Sequence, residues 1–157
     1  MKKPETLRAA IQGAVPEFAS EPDRLRLWVE EGSVRSNGSG TLSFGMEYRL
    51  NILLVEASSD IALIVLPIVR WLQVNQPDLL IPNTDGFAFE ADILDNGSCD
   101  LLFRMDLMEN VKAAPQQDGS IHLDYLAEPD PLFEDFSAPG ELEEIPLLTG
   151  HETEMRQ

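Results

Sequence analysis

The chain has 157 residues with 28 acidic and 11 basic side chains, a formal net charge of −17. That is the length of one ordinary domain, and 43% hydrophobic with 25% charged residues is a globular composition, which excludes a wholly disordered acidic chain. A charge of this sign and size repels phosphate backbones and anionic headgroups, so DNA, RNA and membrane surfaces are not expected partners.

The N-terminus reads as an amphipathic helix of about three turns. Pro4 stands at a first helical position, Leu7, Ala10, Ile11 and Val15 follow at spacings of three and four, and Gly13 and Pro16 end it. After a turn at Ser20–Asp23, Leu25, Leu27 and Val29 alternate with Arg26, Trp28 and Glu30, the pattern of a half-buried strand. Residues 32–40 read as a flexible connection with a short strand around Val34. Leu42, Phe44, Met46, Tyr48, Leu50, Ile52 and Leu54 then recur at period two, which predicts a long strand with one buried face. Ser58-Ser59-Asp60 supplies a helix N-cap. The helix places Ile61, Ile64, Val65, Ile68 and Leu72 on one side and Leu66 and Val69 on another, so it is expected to bury more than one stripe, between layers or between subunits. Pro67 inside it predicts a kink near 63–67, and Asn75 and Pro77 end it.

A hairpin follows. Phe87, Phe89, Ala91 and Ile93 share one face, and Cys99, Leu101, Phe103, Met105 and Leu107 share the matching face of the next strand. Opposed residues in an antiparallel pair lie on one face, so odd positions must pair with odd. A two-residue Asn96-Gly97 loop violates this; a three-residue Asp95-Asn96-Gly97 loop satisfies it, pairing Phe89 with Phe103 and setting Gly97 at the left-handed bulge position. Ile121, Leu123 and Tyr125 predict a last short strand after a turn at 115–119. This order predicts an α+β domain over residues 1–126, with a mainly antiparallel sheet of about five strands and both helices packed on it.

Residues 127–157 are different. They hold nine acids and one base, Arg156, against 19 acids and ten bases in residues 1–126, and they contain Pro129, Pro131, Pro139 and Pro146 with no sustained period. Such a segment builds no core of its own. Its apolar islands, Leu132-Phe133, Phe136 and Leu142 to Leu148, set among acids, suit a tail that docks on a neighbouring subunit, with an unselected flexible tail as the plain alternative.

No constellation reads as an enzyme. The two histidines, His122 and His151, stand far in sequence from Cys99, which lies on the apolar face of a strand, where an inert thiol is the ordinary outcome. Asp92 and Asp100 oppose each other in the hairpin register and could hold a divalent cation or share a proton, but Arg104 and Glu90 share that face and Arg104 can offset the repulsion. The loop 36–40 has glycines without a phosphate-binding pattern. A single Cys gives no intrachain disulfide, the start lacks an apolar signal region, and Ile61–Trp71 is too short to span a bilayer, so the expectation is a soluble, cytosolic chain. No catalytic residue, cofactor site or metal site is assigned.

Five ordered segments, KKPETLRAAIQGAVPEF, EPDRLRLWVEEGSV, TLSFGMEYRLNILL, DIALIVLPIVRWLQVNQPDLL and GFAFEADILDNGSCDLLFRMDLMENV, resemble the tail completion protein R (GpR) family of phage P2 and related contractile-tailed phages and prophages. The resemblance covers residues 1–126. It implies a structural virion assembly protein that acts once tail tube and sheath have polymerised, closing the head-proximal end so that the tail can join a capsid. By analogy with tail terminators it implies a similar fold and a six-fold ring of copies. The implied partners are other copies of the chain, the tube and sheath proteins and the head–tail connector, and the implied locations are the host cytoplasm during assembly and the virion tail. The family has no catalytic residues to carry over. A cap of a headless tail-like particle, and a small ligand- or metal-binding module on the polar strand face, are the alternatives. Candidate interface positions, inferred from the residues, are Arg26 and Trp28 on the first strand, Arg35 and Asn37 in the 32–40 stretch, and Phe133 and Phe136 in the tail.

Overall fold

The computed structural model describes residues 1–128 apart from positions 37 and 39. Its elements follow the predicted order: N-terminal helix, two strands, a long helix and three strands. Helix α1 (Lys3–Ala14) has Pro4 in its first turn, where a missing N–H is harmless, and buries Leu7 and Ile11. Gly13 lies inside α1 rather than ending it; Pro16 starts a second short helix, α2 (Pro16–Ser20), which buries Phe18. A 3-10 turn at Pro22–Arg24 leads into the sheet. Arg8 Nη1 donates to the Leu25 carbonyl at 3.0 Å and Arg24 Nε to the Val55 carbonyl at 2.9 Å, fastening this helical layer to the strands.

The strands are β1 (Leu25–Ser36), β2 (Phe44–Ala57), β3 (Ala88–Ile93), β4 (Cys99–Pro115) and β5 (Ile121–Tyr125). They form one antiparallel sheet in the order β1-β2-β4-β3, with β5 also on β4. Because β3 pairs with 99–104 and β5 with 111–115, the two lie end to end along one edge of β4. The β3–β4 hairpin has the expected loop: Phe89 opposes Phe103, the Leu94 N–H donates to the Ser98 carbonyl at 2.9 Å, and Gly97 has φ +83°. Tyr48, Leu50, Ile52 and Leu54 of β2 and Leu101, Phe103, Met105 and Leu107 of β4 make the inner face. Against it lie α1 and α3 (Ile61–Asn75), whose N-cap Asp60 accepts from the Ala62 N–H at 2.8 Å.

The stretch 32–40 is strand as far as Ser36. The chain passes an irregularity between Glu30 and Ser33, with Glu31 at φ +53°, and resumes pairing through Ser36 opposite Phe44. A run rich in Gly and Ser carries no apolar alternation, so only its partner β2 defines it as strand. Leu42 precedes β2 and is exposed. In β3 every residue is exposed, Phe89 and Ile93 included, because the helical layer stops short of this edge; Phe87 and Phe89 lean on Phe103 with centroids 6.1 Å away. Helix α3 continues through Pro67 and buries a single stripe, Ile64, Pro67, Ile68, Trp71 and Leu72. Leu66 is exposed and Val69 half-buried, so the expected second buried stripe has no cover within the described residues.

Phe103 is fully buried and meets the rings of both Phe87 and Phe89, so Phe103→Ala is expected to lower unfolding free energy by about 3–5 kcal/mol. The exposed Phe89→Ala is expected to cost under about 1 kcal/mol. Urea unfolding of the two variants measures both.

Candidate functional site

The inner face of β4 runs Leu101, Phe103, Met105, Leu107, then Glu109, then Val111 and Ala113. A carboxylate among these is tolerable only if fully hydrogen-bonded, and Glu109 is 3% exposed. Its Oε1 accepts the backbone N–H of Lys2 at 2.7 Å and of Lys3 at 2.8 Å, and its Oε2 accepts the Tyr48 hydroxyl at 2.8 Å. Lys2 is the N-cap position of α1 and makes no side-chain cap of its own. A strand carboxylate more than a hundred positions away therefore caps the helix and faces the positive end of its dipole. Burial, reinforced by the bond to Glu109, holds the Tyr48 phenol far above its ordinary value.

The same corner gathers two more segments of the chain. Lys3 Nζ donates to Gln76 Oε1 at 2.8 Å and to Glu128 Oε1 at 3.0 Å. Gln76, just past α3, also accepts the Met108 N–H at 3.1 Å, satisfying part of the β4 edge between β3 and β5. The start of α1, the end of α3 and Glu128 after β5 thus meet at one polar knot. A cleft of about 180 Å³ opens beside it, lined by Lys3, Val74, Asn75, Tyr125 and Glu128 among others.

Among the described residues no helix covers the opposite face of the sheet. There Trp28, Asn51 and Arg104 align in register across three strands. Arg49 Nε meets Asp106 at 3.0 Å and its Nη1 meets Glu31 at 3.2 Å; Arg104 meets Glu90 at 2.7 Å. Such exposed pairs add little stability each and keep the face wettable and ordered. Asn51, 1% exposed, has no partner for its Nδ2 among the described residues.

Of the sequence-inferred contact positions, Arg26, Trp28 and Arg35 all lie on exposed β1. Trp28, 39% exposed, donates from Nε1 to Glu30 Oε1 at 3.0 Å. Arg35 stands roughly 20 Å further along the strand, paired with Glu47 at 3.2 Å, and lines an open groove of about 500 Å³ with Phe44, Gly45, Lys112 and Leu126. Asn37, Phe133 and Phe136 lie outside the described residues. Asp92 and Asp100 do oppose each other, and Asp100 Oδ1 accepts the Glu56 N–H at 2.7 Å where β2 bulges with Glu56 at φ +50°. That acid thus has a structural task. Among the described residues no three His, Cys, Asp or Glu side chains converge as a metal would require. Cys99 is half-buried and His122 exposed on β5.

The polar knot was missed in the sequence, although it left a signal. Extending the odd-numbered alternation of β4 past Leu107 puts Glu109 on the apolar face, and a charged residue in a buried register implies partners elsewhere in the chain.

A profile of the family described as P2 phage tail completion protein R (GpR) matches residues 1–129. Tail completion protein R of Escherichia phage P2 is 35% identical over 134 residues, which cover 83% of this chain and 86% of that protein. No solved structure matches significantly. Neither the metal-binding module nor the headless particle draws support from these matches. The matched span contains every residue of the knot from Lys2 to Glu128.

Glu109→Ala leaves two helix N–H groups and the Tyr48 hydroxyl without their acceptor, and is expected to destabilise by about 3 kcal/mol in a thermal melt. Because the Tyr48 pKa is raised in the fold, its contribution is full below the unfolded value of about 10 and is lost as pH rises beyond it. An alkaline unfolding curve should therefore fall less steeply above that pH in Tyr48→Phe than in the parent.

Proposed function

The chain belongs to the tail completion protein R (GpR) family, and from that premise we propose that it completes the phage tail at its head-proximal end as a non-enzymatic subunit, preparing the tail for head joining. The observation that carries this reading is the match over residues 1–129, which takes in the whole described fold rather than a local motif. Copies of the chain associate into a closed ring, in line with the analogy to tail terminators, and a ring built from heterologous contacts closes when its rotation does. One face of that ring seats on the last ring of tube subunits, blocks further addition and offers its other face to sheath or neck proteins. Assembly takes place in the bacterial cytoplasm, and the protein remains in the virion tail. No nucleic acid or membrane takes part, and no helix among the described residues is long and apolar enough to cross a membrane.

The surfaces available for this are the edge of β1, which no described strand pairs, and the sheet face over which no described helix lies. Arg26, Trp28 and Arg35 are the contact positions we favour on that face. The edge is studded with charges, which suits pairing with a specified partner over indiscriminate strand addition. The reading of the acidic stretch 127–157 as a tail, flexible or docking on a neighbouring subunit, falls beyond residue 128 outside the described residues.

Light scattering across a concentration series, alone and then with polymerised tail tubes, tests the reading. A multi-subunit species, or a monomer that is retained only at tube ends, is expected; a strict monomer that ignores tubes would overturn it. Trp28→Ala should weaken tube-end binding by about tenfold while leaving the melt unchanged. A chain ending at Glu128 keeps the bond to Lys3 and should unfold in one cooperative transition; loss of folding would place the tail in the core.

A further inference from the structure

The sheet ends on two edges that complement each other. Phe89 and Ile93 of β3 lie on its apolar face yet are 55% and 81% exposed, and the edge of β3 away from β4 is paired by no described strand. At the far side of the sheet no described strand pairs β1 except β2, and the inward-facing Leu27 and Val29 are only half-buried. Arg26 has no charged partner among the described residues, and Asp92 faces the like charge of Asp100. Open edges of this kind are templates for a further strand.

We propose that β3 of one copy pairs antiparallel with residues 25–30 of β1 in the next copy, so that the sheet continues from subunit to subunit. Strand direction, strand length and side-chain face all support this pairing. Each neighbouring pair along the path β1-β2-β4-β3 is antiparallel, so β1 and β3 run in opposite senses. A copy set beside another in the same orientation therefore offers its β1 antiparallel to β3, the sense in which the sheet is already built. Strand β3 has six residues, and β1 is regular over the same length before its irregularity after Glu30. Both strands turn their odd-numbered residues toward the helix side, so odd must oppose odd. Aligning the two runs end to end meets that condition and sets Phe89 opposite Val29, Ala91 opposite Leu27 and Asp92 opposite Arg26. The apolar pairs extend the core across the contact, and the ion pair supplies what no described residue of the same chain gives Arg26. Pairing β3 with a second β3 would instead set Glu90 and Asp92 against acids, and pairing β1 with β1 would leave Phe89 and Ile93 bare. The contact thus joins unlike edges, and repeating it generates a ring when the rotation closes. The inference rests on the ring reading and assigns that ring its subunit contact.

Two single-cysteine chains test the register, each in a Cys99→Ala background and each shown by its melt to be folded. They are Glu30→Cys and Ala88→Cys, positions that this alignment opposes directly, within reach of a disulfide. Under mild oxidation, in solution and on polymerised tail tubes, the mixture should give a disulfide-linked pair and neither chain by itself should. A Glu30→Cys chain that crosslinks to itself as readily, or a mixture that gives no crosslink, would overturn the pairing. Charge exchange is the second measurement. Arg26→Asp and Asp92→Arg should each weaken association by about tenfold, and mixing the two variants should restore it, because every contact in an alternating assembly again joins one Arg to one Asp. Assemblies that form undiminished in both variants would overturn the strand pairing and leave the ring reading standing. A chain that stays monomeric and is absent from tube ends would overturn both.

Discussion

The architecture depends on the Glu109 carboxylate, set in an otherwise apolar face. Water cannot solvate it there, so the fold must bring donors to it, and the donors are the first backbone amides of α1 and the Tyr48 hydroxyl. That requirement fixes where α1 begins. With its start pinned to β4, the helix lies beside α3, where Thr6 Oγ1 accepts the Trp71 indole N–H at 3.0 Å. Lys3 then carries the constraint outward to Gln76 and Glu128. One buried charge thus orders the helix layer, the end of α3 and the position of Glu128.

The sheet separates two kinds of surface. Its inner face is closed by helices and supplies the core. Its outer face is held by ion pairs such as Arg49 with Asp106 and Glu31, and presents Trp28 at one edge. Among the described residues one sheet face has no helix over it and the outer stripe of α3 is exposed, and the family is one with a part in completing a tail. The opposed acids Asp92 and Asp100 show how sequence chemistry can mislead: Asp100 serves the backbone of a bulge in the neighbouring strand, an arrangement that depends on β2 being there.

Local sequence determined every regular element whose period was unbroken. The even-numbered apolar run of β2, the capped α3 and the three-residue hairpin loop could be read directly, because a period of two or of three and four, together with a glycine at the turn, already encodes which side faces inward. The segments quoted from residues 1–126 were enough to point to the family.

Tertiary structure alone decided the rest. Strand β1 extends through Gly32–Ser36 because β2 offers it hydrogen bonds, not because those residues prefer to be extended. The apolar residues of β3 and Leu66 on α3 look buried by pattern, yet are exposed because no described layer covers them. Glu109 could be seen to occupy a buried register, but its partners lie at Lys2, Lys3 and Tyr48, and only the folded chain brings those distant donors together. Periodicity reports which way a side chain points; what stands in front of it is a property of the whole molecule.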